Sequence, residues 1–199
     1  MNGGTLHKNE IKSLIKDNHL FIHPILDENQ IGDISIDLRV GTDFLFQHQG
    51  RSSYINTSSN DISSRSIKSN FTQTRRKIGE NFLLHPFQPT LFSTLEYIKL
   101  PNNVYAVLSL RSSYSRLGLT MSTILQPGYC GCISVEIINS GNTPIEIVSG
   151  VRFLQARLIK VDSEKLNYFN DIRKYACQVR PVPSKANEDK EIEQLKKLS

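Results

Sequence analysis

The chain has 199 residues, with 24 Lys and Arg against 19 Asp and Glu for a net charge of +5, and it carries three cysteines and no tryptophan. That length lets one domain bury about 70% of its unfolded surface without cross-links, and no apolar run approaches the roughly 20 residues that span a bilayer. The cysteine count is odd and Cys130 and Cys132 are one residue apart, which excludes a disulfide framework and the Cys-x₂₋₄-Cys spacing of structural zinc; reduced thiols are expected.

Residues 1–8 lack the apolar segment of a secretory signal, so a cytoplasmic location is expected. Ile11, Leu14 and Ile15 stand at helical spacing after Asn9, a residue type that caps helices, which predicts a short amphipathic helix over 9–17. Residues 34–40 alternate apolar and polar, the period of a half-buried strand. Residues 50–77 are rich in Ser, Asn, Thr and Arg and poor in large apolar groups, and read as an extended surface excursion. Their basic residues lack regular aromatic interleaving, so a nucleic-acid partner is not expected. From Phe82 the strand signals crowd together at 82–84, 91–95, 104–110, 132–138, 145–148 and 151–161, separated by Pro, Gly, Asn and Ser turns. Many short strands at roughly ten-residue spacing predict a mainly β, antiparallel, jelly-roll-like fold with a few short helices. After Lys185 the chain turns polar, so one domain over 1–185 is expected, with 186–199 a terminal helix or frayed tail.

Reactive groups concentrate between Leu110 and Asn142. Arg111, Ser112, Ser113 and Arg116 form a run of hydrogen-bond donors suited to an anion rich in acceptor oxygens, which arginine binds bidentately. Glu136 falls on the strand face shared with Cys132 and Ser134, opposite Ile133, Val135 and Ile137. A lone carboxylate can take up and return a proton if its pKa lies near the working pH. Taken alone, such a Glu is a solvent-facing strand residue, and the Arg-Ser run is a turn held by local Ser-to-backbone bonds.

Five segments in order resemble the deoxycytidine triphosphate (dCTP) deaminase family of the deoxyuridine triphosphatase (dUTPase) superfamily. They are Ile34-Ser-Ile-Asp-Leu-Arg-Val-Gly41; Leu84-His-Pro86 with Ser93-Thr-Leu-Glu96 and Leu100-Pro-Asn-Asn103; Arg111-Ser-Ser-Tyr-Ser-Arg-Leu-Gly-Leu119; Pro127-Gly-Tyr-Cys-Gly-Cys-Ile-Ser-Val-Glu-Ile-Ile-Asn-Ser-Gly141; and Lys174-Tyr-Ala-Cys-Gln178 with Pro181-Val-Pro-Ser-Lys185. The resemblance implies a distorted jelly roll of the β-clip type, assembled as a homotrimer with sites between subunits. It implies a deoxynucleoside triphosphate bound with Mg²⁺ and deaminated hydrolytically without zinc, and the H-x-E and P-C-x-x-C signature of zinc deaminases is absent from the chain. By the same resemblance Glu136 is the catalytic acid/base, Arg116 orients it, and Ser112 lies near the departing amine. Ser113 and Arg111 meet phosphate, Gln126 and Tyr129 belong to the substrate-binding set, and Lys174 and Gln178 lie in an arm that closes over the nucleotide. Asp37 is expected to be structural.

Two departures stand out. The segment from Leu119 to Gln126 is about three residues shorter than the base-reading hairpin of the family, and such a loss resets a hairpin's turn and its backbone hydrogen bonds. Gln126 stands where the family usually has an aspartate, and an amide is a poor base for activating water. Deamination of dCTP or a related deoxycytidine nucleotide is the expected activity. The alternatives are a nucleotide-binding or dUTPase-like protein that does not deaminate, and a non-catalytic trimeric regulatory protein.

Overall fold

A computed structural model describes residues 4–48, 52–57, 65–121, 123–162, 173–189, 191 and 195–198. Among them the strands are β1 (Gly4–Thr5), β2 (Phe21–His23), β3 (Ile36–Gln47), β4 (Phe71–Arg75), β5 (Asn81–Leu84), β6 (Thr90–Lys99), β7 (Val104–Leu110), β8 (Leu119–Thr120), β9 (Thr123–Leu125), β10 (Cys130–Asn139), β11 (Ile145–Val148) and β12 (Arg152–Lys160). Two helices, α1 (Lys8–Lys16) and the single turn α2 (Ser112–Ser115), complete them with a few 3₁₀ turns. None is long and apolar enough to cross a membrane.

The expected N-terminal helix forms with a different start. His7, not Asn9, is the N-cap, because Glu10 three residues on accepts the His7 backbone N–H at 2.8 Å. A carboxylate in the first turn also complements the helix dipole. Ile11 is fully buried, and Leu14 and Ile15 pack against the core beside it.

The main sheet is antiparallel throughout and follows the order β8-β10-β6-β3-β12-β7-β9, with β1 on β12, β2 on β6 and β4 on β3. A second sheet holds β5 and β11. Strand β3 runs well past Val40 because Gly41 lets it bend: a Cβ there would stand 2.3 Å from the Ser93 carbonyl oxygen. Before the bend β3 pairs with β12, and beyond it with β6 and β4. Phe71–Arg75, inside the stretch read as a surface excursion, is therefore strand β4; residues 50–51 and 58–64 of that region lie outside the described residues. In the polar tail a 3₁₀ turn covers Ala186–Glu188, while residues 190, 192–194 and 199 lie outside the described residues.

Strands β8 and β9 occupy opposite ends of the sheet path, yet only two residues separate them. Three Cα steps span at most about 11 Å, so the two ends of the sheet must meet. The sheet curls onto itself, which is the jelly-roll closure expected from the sequence. Thus the shortened segment is not folded back on itself: β8 pairs with β10 and β9 with β7. The reason is burial, since Leu119 (2% exposed) and Leu125 (4%) each insert into the core from their own edge of the seam.

Aromatic rings fill the curl. Phe44 stacks on Phe82 at 4.2 Å between centroids, Phe92 meets Phe153 edge-on at 5.5 Å, and Tyr114 of α2 lies 4.3 Å from Phe153. Such pairs add about 0.5–1.5 kcal/mol each beyond the area they bury.

Candidate active site

Strand β10 alternates as its sequence requires. Ile133, Val135 and Ile137 are buried, Glu136 is exposed, and Cys132 and Ser134 are half-buried on the face of Glu136. That face forms one wall of a cavity of about 500 Å³ whose other walls are β9, the turn leading into β10, and the arm of residues 173–184. Glu136, Ser134, Gln126, Tyr129, Lys174 and Gln178 bring polar groups to it, while Leu91, Leu125, Ile133 and Val182 supply apolar surface.

The arm is hydrogen-bonded along the start of β10. The Cys177 N–H donates to the Cys130 carbonyl and the Cys132 N–H to the Gln178 carbonyl, both at 2.7 Å. Between these bonds sits Gly131, with φ +142°. A Cβ on it would come within 2.8 Å of the Gln178 carbonyl oxygen, so only glycine allows the arm backbone to approach. Tyr97 Oη lies 2.8 Å from Cys130 Sγ beneath the arm, and this contact with the Cys130 thiol pushes the phenol pKa up to about 12. All three cysteines are free thiols, as expected.

Glu136 accepts a hydrogen bond at 3.2 Å from Thr123 Oγ1. Because β9 ends the sheet path and β10 lies next to its other end, beside β8, this contact bridges the closed seam. The Tyr129 hydroxyl donates to the Cys132 carbonyl at 2.9 Å and braces the turn that carries it. Lys174 is ion-paired through Nζ with Asp189, and that carboxylate holds its pKa above the ordinary lysine value. Ser134 Oγ and Gln178 Oε1 are buried and have no hydrogen-bond partner among the described residues.

Arg111, Ser112, Ser113 and Arg116 lie elsewhere, at α2, and none lines this cavity. Tyr114 anchors α2 on Phe153, which turns Ser112, Ser113 and Arg116 out to solvent. Arg111 is tied down: its N–H donates to the Phe153 carbonyl at 3.0 Å, and its Nε stands 4.0 Å from Asp37 Oδ2. Asp37 also lies 3.6 Å from Arg152 Nη1, so it takes the structural position expected of it. Arg152 in turn pairs with Asp27 and holds that carboxyl below its ordinary pKa.

Residues 5–161 match the family described as dCTP deaminase-like. The chain belongs to that family. It is 34% identical over 191 residues to a protein of Dictyoglomus turgidum named "dCTP deaminase, dUMP-forming", covering 92% of this chain and 95% of the relative. A protein of Methanobrevibacter smithii with the same name is 31% identical over 188 residues, with the same coverage. Among solved structures, the 2′-deoxycytidine 5′-triphosphate deaminase of Agrobacterium tumefaciens superposes with a TM-score of 0.61 at 20% identity. That match covers 80% of this chain and 49% of the longer Agrobacterium chain, and it shows the shared fold.

In this dCTP deaminase-like chain, then, the cavity joins Glu136, Gln126, Tyr129, Lys174 and Gln178, and leaves the four α2 residues on a different surface of the same chain. It also includes residues that sequence reasoning did not single out for the site: Thr123, Ser134, Arg173, Tyr175 and Phe71. Ser134 carried a signal, since strand alternation puts it on the Glu136 face. Thr123 and Phe71 carried none, because their places depend on seam closure and on β4 inside a polar stretch.

Proposed function

We propose that this protein deaminates dCTP, presented as its Mg²⁺ complex, to the uracil deoxynucleotide with release of ammonia, at cytoplasmic homotrimer sites completed between subunits. The observation that carries the reading is the single cavity shared by Glu136 and the arm residues Lys174 and Gln178. Water adds to C4 of cytosine as Glu136 takes one of its protons and delivers it to N3 of the ring; the second proton then passes from the C4 hydroxyl through Glu136 to the amine as the C4–N bond breaks, so cytosine and water become uracil and ammonia. Thr123 holds one carboxylate oxygen of Glu136 and leaves the other for this work. The route assigns water activation to Glu136 and calls on no zinc; the Mg²⁺ enters with the triphosphate.

Lys174 is one cation for the phosphates, whose oxygens replace Asp189 as its partner. The exposed Ser112, Ser113 and Arg116, with the half-buried Arg111 before them, serve the cavity of a neighbouring subunit, with Arg116 positioned toward Glu136 and the others toward the amine and phosphates. Gln126 and Tyr129 contact the nucleoside. Closure of the arm excludes water and strengthens every charge interaction inside.

A second reading, release of pyrophosphate to leave dUMP, is favoured by the names of the relatives and opposed by Gln126, whose amide cannot act as a base. Incubating the purified protein and Mg²⁺ with dCTP, dCMP and dUTP, while assaying ammonia, uracil nucleotides and pyrophosphate, separates the two. Ammonia from dCTP without pyrophosphate is expected, with kcat falling about 10²–10⁴-fold in Glu136→Gln. Absence of ammonia from every cytosine nucleotide sinks the proposal. Pyrophosphate in step with ammonia establishes the second reading.

A further inference from the structure

Ser134 has no evident structural task. Two other buried hydroxyls are tied to backbone: Thr94 Oγ1 donates to the Glu96 carbonyl and accepts the Ile133 N–H, both at 2.9 Å, and Ser149 Oγ donates to the Gly41 carbonyl at 2.7 Å. Ser134 Oγ is buried as well, yet it bonds to no described residue. A buried hydroxyl without a partner is destabilising, whereas an apolar side chain of the same shape is not. A hydroxyl left so on a cavity wall points to a ligand. Gln178 Oε1 shares this condition in the same cavity, so two neutral polar atoms await partners there.

Their surroundings select the kind of ligand. Leu91, Leu125 and Ile133 present apolar surface to the same cavity. A flat ring with apolar faces and a polar edge fits such walls, and leaves Arg173 and Lys174 of the arm to the phosphates. Position along the strand refines this. Ser134 and Glu136 are two residues apart on one face, about 6.6 Å along β10. A pyrimidine whose C4 stands at Glu136 reaches back along the strand with its 2-carbonyl oxygen.

We propose that Ser134 is a specificity-determining residue whose hydroxyl donates a hydrogen bond to the 2-carbonyl oxygen of the bound pyrimidine base. This rests on the reading of the cavity as a cytosine-nucleotide site. The 2-carbonyl is unchanged by deamination, so the contact holds the ring in place from substrate to product while the bonds at C4 are exchanged.

The test compares the parent with Ser134→Ala and Ser134→Thr, using dCTP and its 2-thio analogue, whose sulfur is a weak acceptor. Expected for Ser134→Ala is a KM for dCTP raised about tenfold, the worth of one neutral hydrogen bond, with kcat within about twofold. The preference of the parent for dCTP over 2-thio-dCTP should collapse in Ser134→Ala and return in Ser134→Thr. The nucleotide-free Tm of Ser134→Ala should equal or exceed that of the parent, because an orphaned hydroxyl has been removed; a merely structural serine would lower it. An unchanged KM, or an intact preference for dCTP over the thio analogue, overturns the inference while leaving the deaminase reading in place. A parent that turns over no cytosine nucleotide overturns both.

Discussion

Two glutamates show how environment divides roles among identical side chains. Glu136 stands exposed on a cavity wall with one neutral donor, Thr123, at its carboxylate. Glu96 is 0% exposed and accepts bonds from Gln30 Nε2 at 2.8 Å and from the Arg39 N–H at 2.9 Å. Burial outweighs these bonds and pushes the pKa of Glu96 up to about 6 from an ordinary 4.5. The folded state then holds this proton more tightly than the unfolded chain. The resulting stabilisation is complete below about pH 4.5 and is lost as pH rises through 6, and it amounts to about 2 kcal/mol. Urea unfolding at fixed temperature should show this decline in the parent between pH 4.5 and 7 and a flatter profile in Glu96→Gln; equal slopes would refute the assignment. Neither environment could be read from sequence. Both glutamates lie in runs that resemble the family, and alternation shows which face each occupies but not what closes over it.

Strand-level patterns were largely legible. The stretches expected at 104–110 and 145–148 are β7 and β11 to the residue, and the alternation around Glu136 is β10. Departures occur where a strand does more than alternate. β3 outruns its pattern because Gly41 bends it between partners, and β8 and β9 divide the shortened segment across the seam. The arm carries a prediction at this scale. Since a Cβ at position 131 would meet the Gln178 backbone at 2.8–3.0 Å, Gly131→Ala should lift the arm off β10. The expected outcome is faster hydrogen exchange at the Cys132 and Cys177 amides and a raised KM, with the core amides of β6 and β12 unaffected. If those two amides keep the protection of the parent, the close approach is not what seats the arm.

At the scale of the molecule, the Glu136 cavity and the α2 residues occupy different surfaces of the chain. The cavity holds Glu136 and the arm, while α2 directs Arg116 and two serines to solvent. In the proposed symmetric trimer of 22.6 kDa chains each α2 can serve the cavity of a neighbour. Complementation tests this. Glu136→Gln and Arg116→Ala should each be inactive as pure assemblies, and co-assembly in equal amounts should restore about a quarter of the sites, those pairing an intact Glu136 with an intact neighbouring Arg116. Mixtures as inactive as either parent variant, with subunit exchange verified by mass, would rule out sharing between subunits.

The sequence by itself determined the strand-rich class, the family and the order of its motifs, because apolar alternation, turn residues and reactive runs are local properties of the chain. Tertiary structure decided which of the reactive residues share a cavity. It also decided that the short segment 119–126 bridges the sheet's two edges, and that Ser134 and Gln178 lie buried without partners. These features arise from contacts between residues far apart in the chain: seam closure, which brings Thr123 to Glu136, and arm docking, which needs a bare backbone at Gly131. No local pattern encodes such distances, since they are fixed only when the core closes and each buried polar group either finds a partner or is left for a ligand.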